Sequence, residues 1–166
     1  VKSNKGQVIK LLKKIVDVST DHLINQYKSG CDTLMIFESW AGCVDFSDYK
    51  ELLYEPVEQI IKNLRSINIK APIIVFPKGI GKNIIDYTEY VSADIISIDH
   101  EINIGWAIDN ISRNIVLQGN INPKELLIGG KTLENSVRNL VKTVNGRKHI
   151  FNLGHGILPE TPIVNV

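Results

Sequence analysis

The sequence predicts an α/β fold in which about five parallel strands are covered by helices, as in a partial (β/α)8 TIM barrel. Short apolar runs rich in β-branched residues alternate with segments of helical periodicity, and each run stops at a small cluster of polar or glycine residues. Continuous apolar runs are typical of parallel strands buried on both faces. Because barrel enzymes place their chemistry at the carboxyl ends of the strands, the repeated pattern predicts a site along one rim.

The first half of the chain is predicted to contain three helices and two strands. Apolar residues recur at helical spacing before Gly30, which is a suitable residue for ending a helix. Pro56 divides the next helical segment and lies in the first turn of its second piece, where the missing N–H costs little. The predicted elements are a helix at about Gln7–Lys28, a strand at Leu34–Phe37, helices at about Ser47–Tyr54 and Glu55–Arg65, and a strand near Pro72–Phe76.

The second half repeats the alternation with shorter elements. Apolar residues at helical spacing before Asn145-Gly146 predict an amphipathic helix that ends at this pair. The segment from Gln118 to Pro123 is interpreted as a tight turn. The predicted elements are a helix at about Lys82–Val91, a strand near Ile95–Ile98, a helix at about Asn103–Ile111, a strand near Ile115–Gln118, a helix at Thr132–Val144 and a strand near His149–Leu153.

Strict alternation of strand and helix is compatible with an open doubly wound sheet or with part of an eight-stranded barrel. No predicted strand runs into a G-x-G-x-x-G pattern, and polar residues follow every strand instead of one switch point, which favours the barrel. A length of 166 residues and 43% hydrophobic content fit one domain, residues 1–166. The chain begins at Val1 and ends soon after its last predicted strand, so we expect it to be part of a longer protein.

The composition argues against several classes of function. A net charge of +1 provides no strong signal for nucleic acid or an anionic membrane as partner. No apolar stretch approaches the ~20 residues that a membrane span needs. Cys31 and Cys43 are expected to be reduced thiols, and no residues have the spacing of metal ligands. A G-x-S-x-G hydrolase motif is absent.

Two residues that follow predicted strands are candidates for binding a ligand. The Ser39 hydroxyl could donate a hydrogen bond to a carboxylate or phosphate, although a serine here could equally cap a turn. His155 stands between two glycines, which would allow the backbone to approach a ligand closely, or it could belong to a mobile turn.

Other rim residues are more ambiguous. Lys78 would suit an anionic substrate, but it could also be a solvated loop lysine. Asp99 and His100 could be an acid/base pair. Adjacent residues of a strand point to opposite faces of the sheet, however, which disfavours direct proton transfer between these two side chains.

Taken together, these motifs resemble the uroporphyrinogen decarboxylase family over essentially the whole chain. Each is modest evidence by itself, whereas their order and spacing are highly specific. The motifs that carry the resemblance are Gln26-Tyr27 to Gly30, Phe37-Glu38-Ser39-Trp40-Ala41-Gly42, Phe76-Pro77-Lys78-Gly79, Leu117-Gln118-Gly119-Asn120, and Asn152-Leu153-Gly154-His155-Gly156-Ile157 with Pro159 and Thr161-Pro162. That family is a single (β/α)8 barrel, so the resemblance implies that this chain is its carboxyl-terminal half.

The resemblance implies a lyase of porphyrin and heme biosynthesis that removes the four acetate carboxylates of uroporphyrinogen III to give coproporphyrinogen III. It implies no cofactor and no metal. Ser39 and His155 match family residues that contact the substrate, and Phe37 is expected to line the pocket. No residue of this chain is assigned a catalytic role. The full-length protein is expected to be a cytoplasmic homodimer whose partner is the small-molecule substrate uroporphyrinogen, with no nucleic-acid or membrane partner.

The chain departs from the family pattern at two positions, His100 in place of Trp and Asn122 in place of Asp. The family's arginine-rich loop, its pyrrole-binding Asp and a substrate-contacting Tyr belong to the other half, so this chain alone is expected to be inactive. One alternative is a zinc-dependent, cobalamin-linked methyltransferase of the same superfamily. That chemistry needs His and Cys ligands where this chain has Pro77, Lys78 and His155. Another alternative is a non-catalytic half-barrel binding module.

Overall fold

A computed structural model describes residues 4–166. The strands form one sheet in the order β1-β2-β3-β4-β5, and every neighbouring pair is parallel. The strands are β1 (Leu34–Glu38), β2 (Ile73–Pro77), β3 (Ile95–Ser97), β4 (Val116–Gln118) and β5 (His149–Ile150). The predicted α/β class with five parallel strands is confirmed.

Helices connect the strands and cover one face of the sheet. They are α1 (Lys5–Lys28), α2 (Glu55–Ser66), α3 (Ile84–Tyr90), α4 (Ile104–Asn110), α5 (Pro123–Ile128) and α6 (Gly130–Thr143). Short 3₁₀ helices occur at Ala41–Cys43, Phe46–Asp48, Gly81–Asn83 and Ile163–Asn165, and a π-helical turn spans Lys50–Tyr54. Gly30, with φ of 98°, follows α1 as expected.

Three elements differ from the sequence-based prediction. The predicted helix at Ser47–Tyr54 is a 3₁₀ turn followed by the π-helical turn that leads into α2. The segment from Gln118 to Pro123 does turn, but it leads into the helix α5, which was not predicted. The Asn122 side chain caps the start of this helix by accepting the Lys124 N–H at 2.9 Å. β5 pairs over two residues only, and the ladder resumes as a single bridge between Ile121 and Leu153.

The two faces of the sheet have different environments, because side chains alternate along each strand. Residues on one face pack against the helices in the main core; they include Leu34, Ile73, Val75, Ile96 and Leu117, each about 1% exposed or less. Residues on the opposite face include Met35, Phe37, Phe76, Ser97 and Gln118, which lie beside one another according to the strand register. Phe37 on this second face is 65% exposed.

The exposed apolar residues of the second face lead to a prediction about the chain in solution. Phe37 and Ile157 lie in the wall of one cleft and are both largely exposed. We therefore expect the chain to bind a fluorescent apolar dye and to self-associate as its concentration rises. Phe37→Ser should reduce dye fluorescence, whereas Val18→Ser, at a comparably exposed position on α1, should leave it nearly unchanged. Equal fluorescence for all three proteins would contradict the expectation.

Candidate functional site

A cleft of about 420 Å³ lies at the carboxyl ends of the strands, on the face that the helices leave uncovered. Residues of β1 to β4 and of the segments that follow β1 and β5 line it: Met35, Phe37, Ser39, Phe76, Ser97, Gln118, Asn152, Leu153, His155, Gly156 and Ile157. Ser39 and His155, predicted from distant parts of the sequence, are thus brought into one wall. A larger cavity of about 610 Å³ lies between α1 and α2, and none of the residues that line it belongs to the rim motifs.

The loop that carries Ser39 is fixed to the neighbouring loop after β2. The Gly42 N–H donates to the Lys78 carbonyl at 2.9 Å. A Cβ on Gly42 would lie only 2.6 Å from the Gly79 carbonyl oxygen, so the two loops touch where a side chain cannot fit. This contact holds the backbone that presents the Ser39 hydroxyl.

His155 is held by the extension of the β4–β5 ladder. The Gly154 N–H donates to the Ile121 carbonyl at 2.8 Å, and a Cβ on Gly154 would lie 2.8 Å from the His100 Cα. Glycine is therefore required immediately before His155, because the loops after β3 and β5 meet there. The His155 ring packs near the Phe76 ring, with centroids 6.2 Å apart.

The surroundings of His155 favour its neutral form. Burial lowers its pKa, and electrostatic repulsion from Lys78 and His100 lowers it further, while the Asp99 carboxylate raises it. A neutral imidazole has one N–H donor and one acceptor nitrogen. Near pH 7, His155 can therefore donate one hydrogen bond to a carboxylate without first carrying a charge.

The inner part of the cleft contains a polar pair of which only Gln118 was singled out from the sequence. Ser97 and Gln118 are both almost fully buried, and the Gln118 Nε2 donates to the Ser97 Oγ at 3.3 Å. The available signal was a serine inside the apolar run of β3. Aromatic and aliphatic walls around a few polar groups suit an organic ligand with polar substituents.

The structure separates the remaining rim candidates. Lys78 is half-buried beside His155 and outside the cleft lining. The Asp99 carboxylate accepts the Gly79 and Glu101 N–H groups, each at 2.9 Å, which is a role in holding the loops. His100 lines a separate cavity of about 300 Å³ together with Asn120 and Asn122, so both departures from the family pattern lie there.

Glu38 is a second residue whose environment the sequence analysis missed. Its carboxylate lies against α3, where it accepts a 2.6 Å hydrogen bond from the Tyr87 hydroxyl. Burial raises the pKa of Glu38 to about 8, although the Tyr87 hydrogen bond opposes this shift. Because Glu38 directly precedes Ser39, this pair anchors the end of β1 to a helix.

Within residues 4–166, no group of three or more His, Cys, Asp or Glu side chains is placed to hold a metal ion. Pro77 and Lys78, at the end of β2, are not zinc ligands. None of the helices in the same range is long and apolar enough to cross a membrane.

In a comparison with known protein families, the family model for uroporphyrinogen decarboxylase (URO-D) matches residues 1–166. The chain belongs to the uroporphyrinogen decarboxylase family. Its relatives include the uroporphyrinogen decarboxylase of Orientia tsutsugamushi, which is 37% identical over 100% of this chain and 49% of its own length. That of Rickettsia conorii is 37% identical over 98% of this chain and 47% of its own length. The chain thus spans about half the length of these decarboxylases.

A solved structure supports the fold independently. It comes from Listeria monocytogenes, is described as a vitamin-B12 independent methionine synthase, and superposes with a TM-score of 0.54 at 14% identity. The match covers 95% of this chain and 52% of the Listeria chain. At this identity the likeness concerns the fold, and membership of the decarboxylase family rests on the sequence relatives.

Proposed function

We propose that this chain supplies one side of the uroporphyrinogen-binding site of a decarboxylase, with Ser39 and His155 as the substrate-binding residues. The observation that carries the proposal is that these residues, which follow β1 and β5, line the same cleft. The reaction is the removal of the four acetate carboxylates of uroporphyrinogen III to give coproporphyrinogen III, without a cofactor.

The cleft has groups suited to holding a porphyrinogen. The Ser39 Oγ–H and an imidazole N–H of His155 can donate to acetate or propionate carboxylates. Phe37, Phe76 and Met35 supply apolar surface for the pyrrole rings. Protonation of a pyrrole α-carbon would create a cationic ring that accepts the electrons left when CO₂ departs, so exclusion of water and placement of an acid both contribute.

The rest of the site is proposed to come from the portion of the family barrel that this chain does not span. No Lys or Arg lines the cleft within residues 4–166, although an octacarboxylate needs several cations. We also propose that the whole protein is a cytoplasmic homodimer, which rests on the family resemblance. The general acid is unassigned among the residues of this chain.

The first expected result is that the chain alone does not decarboxylate uroporphyrinogen. An open cleft admits water, and its lining lacks the cations that would bind the substrate. The assay is anaerobic incubation with uroporphyrinogen, followed by separation of the products by carboxylate number. Products with seven, six, five or four carboxylates above a no-protein control would show that this half contains more of the machinery.

The proposal itself is tested by fusing this chain to the amino-terminal half of the Orientia tsutsugamushi relative, which is 37% identical over 100% of this chain and 49% of its own length. The fusion should yield coproporphyrinogen in the same assay. A folded fusion that binds uroporphyrin, the stable oxidised form, without releasing products would favour the half-barrel binding module. A folded fusion that neither binds nor reacts would contradict both.

A further inference from the structure

Asp99 is a buried acid that contacts two neighbouring loops at the rim. The residue is 3% exposed and lies two positions after the end of β3. One carboxylate oxygen accepts the N–H of Gly79 in the loop after β2, and the other accepts the N–H of Glu101 in its own loop, each at 2.9 Å. The Asp99 carbonyl accepts the Asn120 Nδ2 in the loop after β4 at 2.9 Å.

These contacts continue to the loop of Ser39. Asp99 fixes the Gly79 N–H, and the preceding Lys78 carbonyl accepts the Gly42 N–H. Gly42 packs directly against Gly79, without room for a side chain. A shift of the loop after β2 would therefore move the backbone that presents Ser39.

The contacts also continue to the loop of His155. Asn120, which binds the Asp99 carbonyl, is followed by Ile121, whose carbonyl accepts the Gly154 N–H. Gly154 in turn packs on the backbone of His100, the residue next to Asp99. The loops after all five strands are thus linked, and Asp99 lies in the middle of this series.

We propose that Asp99 is a positioning residue that sets the relative placement of Ser39 and His155 through the loops after β2 and β4. It does not line the cleft, so it acts through these neighbours and not by touching a ligand. The inference rests on the proposed function, because it concerns the same two binding residues.

The charge of Asp99 affects the His155 pKa, which a purely structural contact would not do. Three charged or titratable groups influence His155: Lys78 after β2, and Asp99 and His100 after β3. Asp99 is the acidic member and raises the His155 pKa. Replacement by Asn keeps the shape but removes the charge, and it directs an NH₂ group toward one of the two backbone donors.

The test uses the ¹⁵N-labelled chain in wild-type, Asp99→Asn and Asp99→Glu forms, with NMR titration of the His155 ring and amide exchange at Gly42 and Gly79. Asp99→Asn should lower the His155 pKa and accelerate Gly79 exchange by about tenfold or more, since a charge-assisted hydrogen bond is lost. Asp99→Glu should largely keep the His155 pKa and still accelerate exchange, because the longer side chain displaces the carboxylate.

Asp94→Asn is the matched control. Asp94 also accepts a backbone N–H, that of Ile73 at 2.8 Å, but it lies before β3 at the opposite ends of the strands. This control should leave the His155 titration and the Gly42 and Gly79 amides unchanged. If folded Asp99→Asn shows an unchanged His155 titration and unchanged amide exchange, the proposal is overturned. Unprotected Gly42 and Gly79 amides in the wild-type chain would also overturn it, and this measurement requires no variant.

These readouts do not involve the substrate, so they separate the inference from the proposed function. In the Orientia fusion, Asp99→Asn should lower turnover about tenfold while Asp94→Asn stays close to the unmodified fusion. A fusion without activity would contradict the decarboxylase assignment and leave the NMR result as the test of Asp99. Normal activity of the Asp99→Asn fusion would overturn the positioning role.

Discussion

In the active fusion, His155→Asn and Ser39→Ala should each lower turnover of uroporphyrinogen by about ten- to a hundredfold. Each variant loses a hydrogen bond to a substrate carboxylate, a contact worth about 1–3 kcal/mol. Both side chains are at the cleft wall and outside the main core, so folding should change little. The rates of the successive decarboxylations, measured from products separated by carboxylate number, test the expectation, with circular dichroism as the check on folding.

Matched substitutions elsewhere in the chain control for the loss of a histidine or a serine. His22→Asn changes an exposed residue of α1, and Ser47→Ala changes an exposed residue of the 3₁₀ turn before α2. Neither residue lines the cleft, so both variants should retain full turnover. Unaltered kinetics for His155→Asn and Ser39→Ala would remove these residues from the binding site.

Glu38 should make the stability of the chain fall as the pH rises. Its folded-state pKa, about 8, lies above the ordinary value of 4.5, so the folded state retains a proton that the unfolded chain has lost. The stabilisation of the protonated form is complete below about pH 4.5 and is lost as the pH approaches 8. The loss should amount to a few kcal/mol, since one pKa unit corresponds to about 1.4 kcal/mol.

Urea unfolding of the dilute chain at several pH values between 4.5 and 8 measures this dependence. Glu38→Gln cannot ionise and should give a flatter profile, whereas Glu134→Gln, at an exposed α6 site paired with Arg138, should keep the wild-type slope. Tyr87→Phe should extend the loss to higher pH, because the Tyr87 hydrogen bond lowers the Glu38 pKa. Identical slopes for wild-type and Glu38→Gln would contradict the assignment.

Elements with strong local signals were predictable from the sequence. Gly30 ends α1, Pro56 lies in the first turn of α2, and the apolar runs form the strands. Elements that depend on tertiary contacts were not. The π-helical turn at Lys50–Tyr54 is fixed by packing of the buried Tyr54 against distant rings, and the short α5 has too few residues for a periodic pattern.

The same distinction applies to the site. Ser39 and His155 could be selected because they follow strands within recognisable motifs, and the structure places both in the cleft. The Glu38–Tyr87 hydrogen bond and the Asp99–Gly79 hydrogen bond join residues far apart in sequence, so neither leaves a local pattern. The roles of such residues depend on which loops the parallel sheet places side by side.

The sequential order of the strands has a consequence for how the chain folds. Each strand pairs only with strands adjacent to it along the chain, so the sheet can grow by one strand at a time, and each pairing closes over one helical connection. Of the five described strands, β5 is the last to emerge during synthesis, and it has only two paired residues. Since Ser39 follows β1 and His155 follows β5, a nascent chain released before His149 can assemble most of the sheet and still lack a binding cleft.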